Sequence, residues 1–182
     1  MGTIRAATDA AGYGTCCSKP ACIGGWWATG PVDKHKVYWY SITIPRTEKW
    51  AYKKGSSQNR IAAIELMATL VLFKLIEKEQ HQGATTLTTR INTDNQGNAY
   101  AVAKGSTRKW PASDVLLELQ LTCHFSDAIV VASHVKREYN QWADALSKRD
   151  HTGFNPALRR HFDITAEDNW ITWQTLKHTT RS

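Results

Sequence analysis

The stretch Asn59–Glu79 constrains the fold more than any other part of the chain. Ile61, Ile64, Ala68, Leu72 and Leu75 recur at helical spacing, and Gly83 lies beyond the end. The apolar run Ile61–Ile76 is interrupted by Glu65 and Lys74 and is too short to cross a bilayer comfortably. Its apolar surface therefore has to be covered by protein, which makes it a central core helix.

The flanking segments supply strands to cover it. Thr3–Ala11, Cys22–Thr29 and Val37–Ile44 read as three strands, with Tyr38, Tyr40, Ile42 and Ile44 alternating against Val37, Trp39, Ser41 and Thr43 in the last. After the polar loop Pro45–Gln58 and the long helix, Thr86–Thr93 reads as a fourth strand and Ala128–His134 as a fifth. Helices are expected over Gly97–Lys104, over Ala112–His124 and from about Asn140. Hairpins join the first three strands, and helical crossovers make the later ones parallel to the first. The expectation is an α/β fold with a five-stranded mixed sheet flanked by helices. It forms one domain over residues 1–160, followed by an extension over 161–182 that either straps the core or links to a neighbour. A last amphipathic helix is expected over Thr165–Leu176.

Charge and cysteine usage narrow the class. With 23 Lys and Arg against 16 Asp and Glu, the net charge of +7 favours a polyanionic partner, nucleic acid ahead of a membrane surface. No apolar leader segment follows Met1–Arg5, so a soluble intracellular protein, cytoplasmic or nuclear, is expected. Cys16, Cys17, Cys22 and Cys123 show no zinc-ligand spacing, and reduced thiols are the default, with a Cys16–Cys22 disulfide as the minor reading.

Four carboxylates occupy places that invite a chemical explanation. Asp9 lies in the first strand among Ala and Gly, where another molecule can approach the backbone. Glu65 sits on or beside the buried face of the core helix, although a boundary position would also account for it. Asp94 ends the fourth strand, where an Asx turn or helix cap is the local explanation. Asp144 falls in the first turns of the last helix, where the helix dipole alone favours an acid. Brought to one end of a sheet, the four would repel one another unless cations were present, and hard oxygen ligands select Mg²⁺ or Mn²⁺. Two such ions about 4 Å apart activate a water and stabilise the leaving oxygen in phosphodiester hydrolysis.

The motifs Thr8-Asp9-Ala10, Ile64-Glu65-Leu66, Thr93-Asp94-Asn95 and Asn140-Gln141-Trp142-Ala143-Asp144-Ala145-Leu146-Ser147, in this order of elements, resemble the ribonuclease H family over about residues 3 to 160. Within that family, the stretch from Thr93 through Lys136-Arg137-Glu138-Tyr139-Asn140 to Gly153-Phe154 resembles the ribonuclease H region that follows the reverse transcriptase of DIRS-like, tyrosine-recombinase retrotransposons. The resemblance implies a ribonuclease H-like fold and a two-metal endonuclease that cuts the RNA strand of an RNA/DNA hybrid. It also implies that Asp9, Glu65, Asp94 and Asp144 are the ligands of two Mg²⁺ ions, with Mn²⁺ able to substitute. His134, ten residues before Asp144, matches a family His that helps proton transfer or product release. A strand-end His paired to backbone or a phosphate explains it equally well.

Hybrid binding would rest on phosphate contacts from basic loops. Candidates are Lys104, Arg108, Lys109 and Trp110 between two helices, and Arg137 and Asn140 before the last one, where Asn140 also reads as a cap. The interleaved stretch Arg46–Lys54 contributes Trp50, and Gly12, Asn95 and Asn98 lie in loops suited to 2′-hydroxyl contacts. The Lys104–Trp110 connection is short for a substrate-handling insertion, which implies grip borrowed from a reverse transcriptase partner, covalent or not. The isolated chain is expected to be a monomer. Two alternatives stand beside this reading: a DNA nuclease of the same architecture, resolvase-like or transposase-like, and a catalytically silent nucleic-acid-binding or connection domain.

Overall fold

The computed structural model describes residues 4–11, 20–52, 57–80 and 87–176. The candidate Gly12, the thiols Cys16 and Cys17, and Lys53 and Lys54 lie outside them. In the described residues, strands β1 (Ile4–Ala11), β2 (Cys22–Ala28), β3 (Tyr38–Thr43), β4 (Leu87–Thr93) and β5 (Ala128–His134) form one sheet in the order β3-β2-β1-β4-β5. β1, β2 and β3 pair antiparallel, and β4 pairs parallel with both β1 and β5. This is the mixed five-stranded sheet expected from the strand order, with β1 at its centre.

Helix α1 (Lys49–Tyr52) is a single turn inside the stretch read as a loop, and α2 (Ser57–Gln80) is the expected core helix. Ala63, Ile64, Leu66, Met67, Ala68, Leu70, Val71, Leu72, Phe73, Leu75 and Ile76 are all buried, so α2 is covered on almost every side. Strand alternation points Ile4, Ala6, Thr8 and Ala10 of β1 at it, and Thr8 Oγ1 meets Thr69 Oγ1 at 3.2 Å. The Tyr40 hydroxyl of β3 donates to the carbonyl of Ala68 at 2.5 Å. Helices α3 (Gln96–Lys104) and α4 (Ala112–Ser126) complete this layer.

The opposite face carries α5 (Gln141–Ser147), which packs over β1, β2 and β3. Its approach depends on Gly24: a Cβ there would stand 2.6 Å from the Leu146 backbone and Cβ and from the Ser147 amide. Ser41 Oγ fixes the same end of α5 by donating to the Leu146 carbonyl at 2.7 Å. Gly24→Ala is therefore expected to cost about 1–3 kcal/mol through overpacking. It should also push α5 and its Asp144 outward, so that a fall in melting temperature accompanies weakened divalent-metal binding.

Beyond α5 the chain passes along β3, where the Arg160 amide donates to the Trp39 carbonyl at 2.8 Å, and then crosses to the helical layer. The expected helix over Thr165–Leu176 is instead a 3-10 turn at Glu167–Asn169 followed by the single turn α6 (Trp173–Leu176). The reason is a buried carboxylate. Glu118 of α4 is 0% exposed and accepts the backbone amides of Ile171 (3.1 Å), Thr172 (2.8 Å) and Trp173 (2.8 Å), together with Lys74 Nζ at 3.0 Å. Amides committed to a side chain hold this stretch as a turn, and Ile164, Trp170 and Trp173 join the core. Trp50, expected to face substrate, is 5% exposed, stands edge-on to Trp173 and donates to Glu48. The extension covers it. No helix among the described residues is long and apolar enough to cross a membrane.

Candidate metal centre

The C-terminal end of β1 brings Asp9 to the middle of the sheet, and the parallel pairing of β1 with β4 brings Asp94 beside it, one residue past β4. Glu65 reaches the same point from α2. One carboxylate oxygen from each of Asp9, Glu65 and Asp94 lies within 4.8 Å of the others. Asp9 is only 7% exposed, and one of its oxygens accepts the Ala10 amide at 2.9 Å. Burial first, then the negative charge of Asp94, and then that of Glu65 and Asp144, outweigh this hydrogen bond and push Asp9 up to about 8. Asp144 thus acts on the cluster electrostatically from α5, while Lys148 one turn later pairs with it at 3.0 Å.

Local sequence explains how the acids are presented. Asn95, rather than Asp94, caps α3: its Oδ1 accepts the Asn98 amide at 2.9 Å, while its Nδ2 donates to Glu65. That frees the Asp94 carboxylate from capping. Asn140 Nδ2 donates to the Thr8 carbonyl at 3.0 Å, tying the approach to α5 onto β1 next to Asp9. Among the described residues, Arg137 Nε is the guanidinium that approaches the cluster, 3.6 Å from Asp94, with its side chain 84% exposed.

No family model matches the sequence, and no curated protein matches it. Solved structures do. RNase H1 from the halophilic archaeon Halobacterium salinarum NRC-1 superposes with a TM-score of 0.59 at 17% identity, covering 82% of this chain and 97% of that one. LC11-RNase H1 in complex with an RNA/DNA hybrid gives 0.57 at 15% identity over 81% of this chain and 95% of that one. LC11-RNase H1 isolated from compost by a metagenomic approach gives 0.54 at 18% identity over 82% and 96%. The fold is that of ribonuclease H.

On this ribonuclease H fold the remaining candidates fall into distinct groups. Lys104, Arg108 and Lys109 are exposed and line a cavity of about 500 Å³ between α2, α3 and the start of α4, together with Asn95, Asn98 and Tyr100. Trp110 is half-buried and donates to Asp114 at 2.9 Å. Asn98 and Asn140 are buried, and their side-chain amides donate to the carbonyls of Ala62 and Thr8. His134 is exposed at the end of β5, in register with Thr93 and so one residue from Asp94.

Two features escaped the sequence reading. The Asn95–Glu65 contact was hidden because the cap and the acid lie on different elements. Glu118 was hidden because a single acid in an apolar helix resembles any boundary residue; only its backbone partners, more than fifty positions away, reveal its place.

The donor set fits hard divalent cations. Carboxylate oxygens alone converge on one point, and a cation would relieve the repulsion that, after burial, raises the Asp9 carboxyl.

Proposed function

We propose that this chain is a divalent-metal-dependent endoribonuclease that hydrolyses the RNA strand of RNA/DNA hybrids. The observation that carries this reading is the convergence of Asp9, Glu65 and Asp94 within 4.8 Å at the centre of a ribonuclease H sheet. Asp9, Glu65, Asp94 and Asp144 would hold Mg²⁺ or Mn²⁺. Bound there, the metal supplies activation of water and stabilisation of the leaving oxygen.

The chain's own groups do the remaining work. Asp9, in the sheet centre, faces both Asp94 and Glu65 and is the ligand best placed to be shared. Asn95 orients Glu65 through its amide. His134, exposed at the end of β5 in register with Thr93, would be the group that takes or releases a proton, and Lys104, Arg108 and Lys109 would offer cations to backbone phosphates. The hybrid specificity draws support from a neighbour solved with an RNA/DNA hybrid. Service to a reverse transcriptase of a retroelement draws support from the stretch from Thr93 through Lys136–Asn140 to Gly153-Phe154 and from the short basic connection.

The test is cleavage of labelled RNA/DNA hybrid, RNA duplex and DNA duplex with Mg²⁺ or Mn²⁺, alongside EDTA and Asp94→Asn controls. Cutting confined to the RNA of the hybrid, and lost in both controls, is the expected result. Cutting of DNA duplex instead would transfer the chain to the DNA nucleases of this architecture. Tight hybrid binding without any cutting would make it a silent binding domain.

A further inference from the structure

β1 and β4 carry a second charged feature on the face that bears Asp9 and Asp94. Their parallel register sets Arg5 opposite Arg90, so two guanidinium groups stand side by side on neighbouring strands, an arrangement that destabilises a sheet. Both side chains are exposed, and neither forms an ion pair among the described residues. On this face α5 packs on β2, β3 and β1, where Ala7 and Asp9 are buried, whereas the side chains of Arg5 at the start of β1 and of Arg90, Ile129 and Val131 are exposed. A like-charge pair on an uncovered surface points to an anion that binds it.

Alternation links this pair to the acidic cluster. Arg5, Ala7 and Asp9 share one face of β1, and Arg90 and Asn92 lead along the same face of β4 to Asp94. Same-face positions recur about every 6.6 Å, so the arginine pair lies two steps, about 13 Å, from the cluster. The intervening row is Asn92 in register with Ser133 of β5, both half-buried and both able to hydrogen-bond a phosphate or sugar. No acid of β1, β4 or β5 lies between, and the exposed apolar positions on these strands, Ile129 and Val131, are confined to the edge strand. Alternating cations and polar donors in line with a phosphodiester-cutting centre suit a nucleic-acid strand better than an acidic protein, which would need a broader apolar surface.

We infer that the open face of β4 and β1 is a second nucleic-acid contact, along which a single-stranded extension of the RNA leaves the acidic cluster with its phosphates held by Arg5 and Arg90. The identity of the polyanion rests on the hybrid-nuclease reading; the anion site itself does not.

The experiment measures binding by fluorescence anisotropy, with Asp94→Asn in Mg²⁺ to suppress cutting and with the parent chain in EDTA. The probes are a blunt RNA/DNA hybrid and the same hybrid with an oligouridine extension on the 5′ or the 3′ end of its RNA. One of the two extensions should tighten binding about tenfold at low salt. Arg5→Ser with Arg90→Ser should remove that gain and lower the salt slope by about 1.4, two contacts at about 0.7 each on a single strand. The loss on the blunt hybrid should be several-fold smaller, and the double variant should melt no lower than the parent because a repulsive pair has gone.

The inference is overturned if neither extension tightens binding, or if the variant weakens blunt and extended hybrids equally. It is also overturned if polyglutamate displaces the extended hybrid as well as oligouridine of equal charge, which would mark the face as a site for an acidic protein. Failure of hybrid cleavage with the extension effect intact would remove the nuclease reading and leave this site standing.

Discussion

Asp9→Asn is expected to reduce hybrid cleavage by about a thousandfold or more, since it removes the carboxylate proposed to be shared at the centre of the acidic cluster. The same change should make the metal-free protein more stable. Asp9 is pushed up to about 8 by burial and by Asp94, Glu65 and Asp144, against 3.8 for an ordinary aspartate. Between these two values the folded chain holds a proton that the unfolded chain has released. Stability of the metal-free protein therefore falls as pH rises from about 4 to about 8 and levels off above that. The asparagine variant lacks this slope. At pH 8 without metal it should be the more stable of the two, by an amount that the span from 3.8 to about 8 caps at roughly 6 kcal/mol, seen as a rise of several degrees or more in melting temperature. Saturating Mg²⁺ should stabilise the parent far more than the variant. Denaturation profiles over pH, with and without metal, check all three points, and an Asp9→Asn protein less stable than the parent in EDTA would contradict the assignment.

Glu118→Ala is expected to cause the largest loss of stability from a single site outside the acidic cluster. It would leave three backbone amides and the Lys74 ammonium facing a cavity, a loss of about 3–5 kcal/mol by the usual cost of breaking a buried charge pair. Glu118→Gln keeps an acceptor oxygen for the amides and should fall between. Burial alone would raise the Glu118 carboxyl, but the amides of Thr172 and Ile171 and the charge of Lys74 prevail and hold it below the ordinary glutamate value. Its contribution is therefore complete above about pH 4.5 and is lost as pH falls through the lowered value. Urea denaturation monitored by tryptophan fluorescence reads this directly, because Trp170 and Trp173 are buried by the anchored segment. A variant with unchanged midpoint would show that the extension contributes little.

The architecture was legible because it rests on periodicity. α2 and the strands announce themselves through spacing of apolar residues, and the order hairpin, helix, strand, helix, strand leaves few ways to pair them. The convergence of Asp9, Glu65 and Asp94 was legible, since each sits at the end or on the flank of an element whose place follows from that order, whereas Asp144 stands outside the trio. What remained hidden depends on partners far away in the chain. Trp50 looked like an aromatic among cations, yet the segment that buries it begins more than a hundred residues later. Asn98 and Asn140 have the side chains of substrate-binding amides, but their donors are committed to the carbonyls of Ala62 and Thr8. Thr165–Leu176 has helical composition, and Glu118 captures the amides that helix continuation would organise differently.

The acidic centre draws on β1, α2, the end of β4 and α5, so its parts come from the beginning, middle and end of the domain. A chain still emerging from the ribosome with α5 unmade can form the sheet and the core helix, but it lacks Asp144 and the Asn140 tether that seats α5 beside Asp9. On the proposed nuclease reading, cutting power would arrive only with the last tenth or so of domain synthesis. On that reading a truncated or misassembled copy would bind without cutting, and the rate of cleavage per molecule would gauge the fraction that has finished folding.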